Sequence, residues 1–152
     1  MQLTQKESSL IKELKGQEEL CIEKYKKAAN CAKDKQLSDL FMNLASIEQQ
    51  HLNTLTQMEN GTAPQMNASG GKTMPTFTAT YDIAETEDKK NDQFLCTDML
   101  TMEKHASGIY DTCVFEFKDE NMRNALNHIQ KEEQEHGKML YDYMSANKMY
   151  AA

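Results

Sequence analysis

The sequence predicts an all-α fold: four helices paired as two helical hairpins and joined by a long crossover loop. Three observations carry that prediction. Only two prolines occur in 152 residues, so little interrupts helix formation. Apolar residues recur at alternating steps of three and four in four segments, the spacing of one buried helix face. The third is a pattern that occurs twice, 85 residues apart and without a gap: Glu18 followed by Glu48-x-x-His51, then Glu103 followed by Glu133-x-x-His136. Tyr25 and Tyr110, the Lys33-Asp34 and Lys118-Asp119 pairs, and Gln49 and Gln134 coincide in the same register.

Thr4-Gln5-Lys6-Glu7 reads as a capping box opening the first helix, which runs to about Ala32. Its buried stripe is Ile11, Leu14, Glu18, Cys21, Tyr25, Ala28 and Ala32. A turn at Lys33-Asp34 leads into the second helix, with stripe Leu37, Phe41, Leu44, Glu48, His51, Leu55 and Met58, which stops before Asn60-Gly61. Residues 60–91 collect Pro64, Pro75, Gly61, Gly70, Gly71 and many Thr, Ser and Asn, and read as the crossover that some bundles need to return the chain to the far end. The third helix is expected over 92–117, with stripe Cys96, Met99, Glu103, Ala106, Tyr110, Cys113 and Phe117. After the second Lys-Asp turn the fourth follows over 120–147, with Met122, Leu126, Ile129, Glu133, His136, Leu140 and Tyr143. The organisation is therefore a single domain over 1–152, with hairpins at 4–59 and 92–147.

Six ionisable residues interrupt these otherwise mostly apolar stripes. Glu18 and Glu48 stand 15 residues either side of Lys33, and Glu103 and Glu133 stand 15 either side of Lys118. In an antiparallel hairpin, equal distances from the turn bring side chains to one level. Each Glu-x-x-His pair is three residues apart and shares a helix face. Four carboxylates and two imidazoles thus converge at mid-bundle. Burying one bare carboxylate costs about 20 kcal/mol in the idealised limit and several kcal/mol after relaxation. Two divalent cations would neutralise four carboxylates, so Glu18, Glu48, His51, Glu103, Glu133 and His136 are the candidate metal ligands. Tyr25 and Tyr110, one helical stretch beyond their glutamates, are candidates to hydrogen-bond ligand carboxylates.

A net charge of -7 with no stripe of Lys or Arg argues against nucleic acid as a partner. No stretch approaches the roughly 18 apolar residues of a membrane span, and the N-terminal residues lack a signal-peptide pattern, so synthesis and folding in a cytoplasm are expected. Cys21, Cys96 and Cys113 read as small core residues, since no Cys-x-x-Cys or zinc spacing occurs. His105 and His128 fall off the stripes and read as surface residues. Glu19, Glu132 and Glu135 read as solvated neighbours of the ligand positions.

The chain resembles the ferritin-like superfamily, in which bundles hold di-iron or di-manganese sites with this ligand pattern. More narrowly, it resembles the coat F family of spore coat proteins, through Gln17-Glu18-Glu19-Leu20-Cys21-Ile22-Glu23-Lys24-Tyr25, Glu48-Gln49-Gln50-His51-Leu52-Asn53-Thr54, the run from Asn127 to Gly137, and the ending around Tyr143 and Met144. That resemblance implies a spore coat or spore-associated location, with other coat proteins as partners. It also implies two iron or manganese ions, iron slightly preferred, with Glu48 and Glu133 bridging, Glu18 and Glu103 terminal, and one imidazole per metal. A homo-oligomer, a dimer, is expected. The alternative is a redox enzyme that reduces peroxide or dioxygen, rubrerythrin-like or catalase-like. Rubrerythrins usually carry paired Cys-x-x-Cys motifs and a further glutamate where this chain has Ala106, so an enzyme of this kind would use a separate electron donor. The ligand set is nearer that of bacterioferritin, but Gln49 replaces the haem-ligating methionine and only 16 residues follow His136. A haem-binding storage shell is not expected.

Overall fold

A computed structural model describes residues 1–66 and 73–150. It contains four helices, α1 Gln5–Cys31, α2 Lys35–Glu59, α3 Glu87–Val114 and α4 Glu120–Ala146, and no strand among the described residues. They form an all-α four-helix bundle. Gly70 and Gly71 of the expected crossover, and Ala151 and Ala152, lie outside the described residues.

The helix starts follow from local chemistry. Thr4 Oγ1 accepts from the Glu7 amide at 3.1 Å, and the Glu7 carboxylate accepts from the Thr4 amide at 2.8 Å, completing the capping box. The two Lys-Asp turns have one function. Asp34 accepts from the Gln36 amide to cap α2, and Asp119 accepts from the Met122 amide to cap α4. Gly61, at φ +85°, ends α2 in a conformation open to glycine, and a Cβ there would collide with the Met1 carbonyl.

Helix α3 starts at Glu87, ahead of the expected 92, and ends at Val114, ahead of 117. Thr86 is its N-cap, accepting from the Lys89 amide at 3.2 Å, and Glu87 and Asp88 sit in the first turn, where the helix dipole favours acidic groups. The Thr-Glu-Asp signal was in the sequence, hidden by the polar run around it.

Polar anchors bind the crossover to one end of the bundle. Asp92, fully buried, accepts from the amides of Lys33 (2.8 Å) and Asp34 (2.9 Å) and from the Tyr81 hydroxyl (2.7 Å). Asn147 Oδ1 accepts from the amides of Thr80 and Tyr81, and the Gln36 side chain brackets Thr78 from both sides. The α1–α2 turn and the start of α3 thus share an end. The crossover has carried the chain back along the bundle, and α3 runs parallel to α2.

Every residue of the four expected stripes is buried except Ala32, which is partly exposed. The apolar core is two clusters. One centres on Tyr25, Phe41, Leu44, Met99 and Tyr143, the other on Leu14, Leu55, Tyr110, Leu126 and Ile129. The charged layer separates them. Cys21, Cys96 and Cys113 are core residues, and Cys31 is exposed. No helix among the described residues is long and apolar enough to cross a membrane.

Candidate metal centre

Each helix contributes to a layer that water does not reach. Glu18 comes from α1, Glu48 and His51 from α2, Glu103 from α3, and Glu133 and His136 from α4; none is more than 2% exposed. They form two groups that could each hold a metal ion: Glu18, Glu48, His51 and Glu133, and Glu48, Glu103, Glu133 and His136. Within each group, one potential ligand atom per residue lies within 4.8 Å of the others. Glu48 and Glu133 belong to both groups and lie between them. The two imidazoles face each other, ring centroids 5.8 Å apart and planes within 16°.

Nδ1 of each histidine points into the layer. His136 Nδ1 lies 2.9 Å from Glu48 and 3.4 Å from Glu103. His51 Nδ1 lies 3.3 Å from Glu48 and 3.0 Å from Glu133 Oε1. The second contact is an ion-pair approach without the alignment of a hydrogen bond, and it leaves Glu133 Oε1 without a hydrogen-bond partner. The tyrosines cross between hairpins. Tyr25 donates to Glu103 and Tyr110 to Glu18, both at 2.6 Å and both buried. Each phenol thereby fixes the carboxylate of the opposite repeat.

Five buried polar atoms of the layer have no hydrogen-bond partner among the described residues: Glu18 Oε2, Glu103 Oε2, both Glu133 oxygens and His136 Nε2. Such orphans cost about 1–3 kcal/mol each, more if charged. The electrostatics shows the same strain. Burial pushes the Glu18 carboxyl up to about 8, and its neighbour Glu48 adds to the rise. Burial and the proximity of Glu103 push Glu133 well above the carboxylate range. Burial would push Glu48 up too, but hydrogen bonding with Glu18, His136 and His51 holds it well below. Burial opposes the imidazolium forms, yet the surrounding carboxylates raise His136 to about 9 and His51 well above its ordinary range. The metal-free layer must keep protons that a pair of divalent ions would replace, and oxygen with imidazole nitrogen is a donor set for iron, manganese or zinc.

Glu132 corrects the sequence reading. It is buried, 6% exposed, and its Oε1 lies 2.9 Å from His51 Nε2 and 3.3 Å from His128 Nε2. His128, read as a surface residue, is partly buried, whereas His105 is exposed. The available signal was the four-residue spacing His128, Glu132, His136, a second stripe beside the ligand stripe. The repeat places Ile47 opposite Glu132, so the two histidines differ in their outer support.

Residues 91–152 match the Coat F domain. The match covers most of α3 and all of α4, hence Glu103, Glu133, His136, Tyr110 and Glu132. Glu18, Glu48 and His51, half of the buried layer, precede the Coat F segment. No curated protein and no solved structure gives a significant match to the chain.

Proposed function

We propose that the chain is a Coat F protein of the spore coat whose ferritin-like bundle holds two divalent ions, iron or manganese. The observation that carries the metal is the buried layer of four carboxylates and two imidazoles with its unpartnered ligand atoms. The Coat F match carries the location. In this reading Glu48 and Glu133, common to both groups, would serve both ions, Glu18 and Glu103 would each serve one, and His51 and His136 would supply one imidazole per ion. Glu132 holds the far nitrogen of His51, fixing its ring, and Tyr25 and Tyr110 orient the terminal carboxylates.

Elemental analysis of the purified protein tests the site. Wild type should carry about two ions per chain, lost in Glu48→Ala/Glu133→Ala. A wild type that neither retains nor takes up iron or manganese would refute it. Recovery of the protein from the coat fraction of spores tests the location, and its absence from that fraction would remove the coat reading.

The second reading is a redox enzyme acting on peroxide or dioxygen with a separate electron donor. What favours it is a surface cavity of about 500 Å³ whose lining includes Glu103 and Glu133. Bound iron or manganese would supply redox and Lewis-acid chemistry there. Peroxide turnover that persists in Glu48→Ala/Glu133→Ala would exclude this reading.

A further inference from the structure

The two hairpins repeat the same ligands, but the groove on the α3–α4 face reaches ligand residues and its counterpart on the α1–α2 face does not. Between α3 and α4, the cavity of about 500 Å³ is lined by Leu100, Ser107, Gly108, Gln130 and Gly137 as well as by Glu103 and Glu133. Glu103 Oε2 and both Glu133 oxygens are among the unpartnered buried atoms. On the other face, the repeat-related groove between α1 and α2 is lined by Ile22, Met42, Ala45 and Gln49, and neither Glu18 nor Glu48 forms part of its wall. The 85-residue register explains the difference. Ser107 stands where the first hairpin has Ile22, Gly108 where it has Glu23, and Gly137 where it has Leu52. Three side chains are cut back on one face alone. Ile22 is 8% exposed and fills with a hydrocarbon side chain the place where Ser107 accepts from the Gln130 amide, at 3.1 Å through its carbonyl and 3.4 Å through its hydroxyl. A Cβ at Gly108 would meet nothing within 4 Å, and one at Gly137 would meet only Leu100 Cδ1 at 3.6 Å. Neither glycine is needed for helix packing, and both lower helix propensity.

We propose that this groove is the route by which hydrated divalent cations reach the buried layer, with Ser107, Gly108 and Gly137 keeping it open and Glu103 and Glu133 receiving the ion. The inference rests on the dinuclear reading above. Asp111 and the amide oxygens of Gln130 and Gln134 also line the cavity and can replace water around an incoming ion, and with Glu103 and Glu133 the lining carries three carboxylates against the one cation, Lys104. Glu133 lines the groove and belongs to both ligand groups, so one route serves both positions.

The test fills the groove with the first hairpin's own residues. Ser107→Ile/Gly137→Leu should reach the same stoichiometry of Co²⁺ as wild type, read by visible absorption, but load about tenfold or more slowly, because access then requires the helices to part. Release to a chelator should slow by a similar factor. Gly108→Leu, whose Cβ has open space, should slow loading in the same direction and provides the measurement if the double variant does not fold. Ser46→Leu, on the α1–α2 groove, should load at the wild-type rate. Equal stoichiometry with unchanged rates in the groove variants, or equal slowing by Ser46→Leu, would overturn the route and leave the site standing. A wild type that binds no Co²⁺, Fe²⁺ or Mn²⁺ would overturn the site and the route together.

Discussion

Glu18→Gln should stabilise the metal-free protein and destabilise the metal-loaded one. Glu18 is fully buried, its carboxyl pushed from 4.5 up to about 8 by burial and then by Glu48. In the unfolded chain the group ionises above about 4.5; in the metal-free fold it keeps its proton up to about 8. A raised folded pKa means that its contribution is fully present below the unfolded value and is lost as pH rises through the folded one. At about pH 7 the lost contribution is about 3 kcal/mol, two and a half pH units at 1.36 kcal/mol each. Glutamine is a permanent neutral analogue of the protonated acid, and its oxygen can still accept from Tyr110, now 2.6 Å from Glu18. In the presence of chelator, urea unfolding should therefore show Glu18→Gln more stable than wild type by about 3 kcal/mol near pH 7. The gap should fall below about 1 kcal/mol near pH 5. With iron or manganese present the order should reverse, since the variant lacks an anionic ligand. A metal-free variant no more stable than wild type near neutrality, or a gap that does not shrink on acidification, would refute the account of the layer as a set of uncompensated acids.

Metal affinity should rise with pH across the same window, because Glu18 (about 8) and His136 (about 9) must lose protons to become ligands; titrations in buffers of different ionisation heat should show proton release. Tyr25→Phe/Tyr110→Phe removes two buried 2.6 Å hydrogen bonds to carboxylates. It should cost about 1.5–3 kcal/mol per bond in the loaded protein, measured by denaturation. Glu132→Ala deprives His51 Nε2 of its carboxylate and should weaken metal binding about 10- to 100-fold, whereas Glu19→Ala, on the exposed face of α1, should leave it unchanged in the same titration. Asp92→Ala orphans the Lys33 and Asp34 amides and the Tyr81 hydroxyl. Denaturation should show a loss of about 3 kcal/mol or more with metal stoichiometry intact.

The parts of the fold that could be read from the sequence are those set by periodicity. Four stripes at helical spacing identify which face of each helix is buried, and the six ionisable residues stood out because they occupy that face where Leu or Ile would pack. Local capping was legible at Thr4, while Asp34 and Asp119 read only as turn residues and their role as N-caps came with the structure. The start of α3 was not, because Thr86-Glu87-Asp88 lies in a polar run whose first turns lack an apolar stripe to announce them. Asp92, Tyr81 and Asn147 were not legible either. Their partners come from the crossover and from both hairpins, and no spacing rule connects residues 58, 66 or 67 positions apart.

Glu132 shows where periodicity misleads. A glutamate one position off the stripe reads as solvated, since most such residues are. Its burial follows from the other hairpin: His51 Nε2, once Nδ1 is turned into the layer, needs an outer partner, and α4 supplies it. The repeat gives His136 no such residue, only Ile47 in the matching position, and His136 Nε2 is unpartnered. The side of the molecule that belongs to α4 also carries Gly137, and α3 carries Ser107 and Gly108, beside the cavity. The 85-residue repeat pairs the candidate ligands, but the departures from it make the two halves of the layer unequal. One histidine is braced by a carboxylate that continues to His128, and one pair of carboxylates lines the α3–α4 groove. Equivalent ions would then differ in exchange rate and in affinity, and a titration resolving two unequal binding steps is the outcome this asymmetry requires.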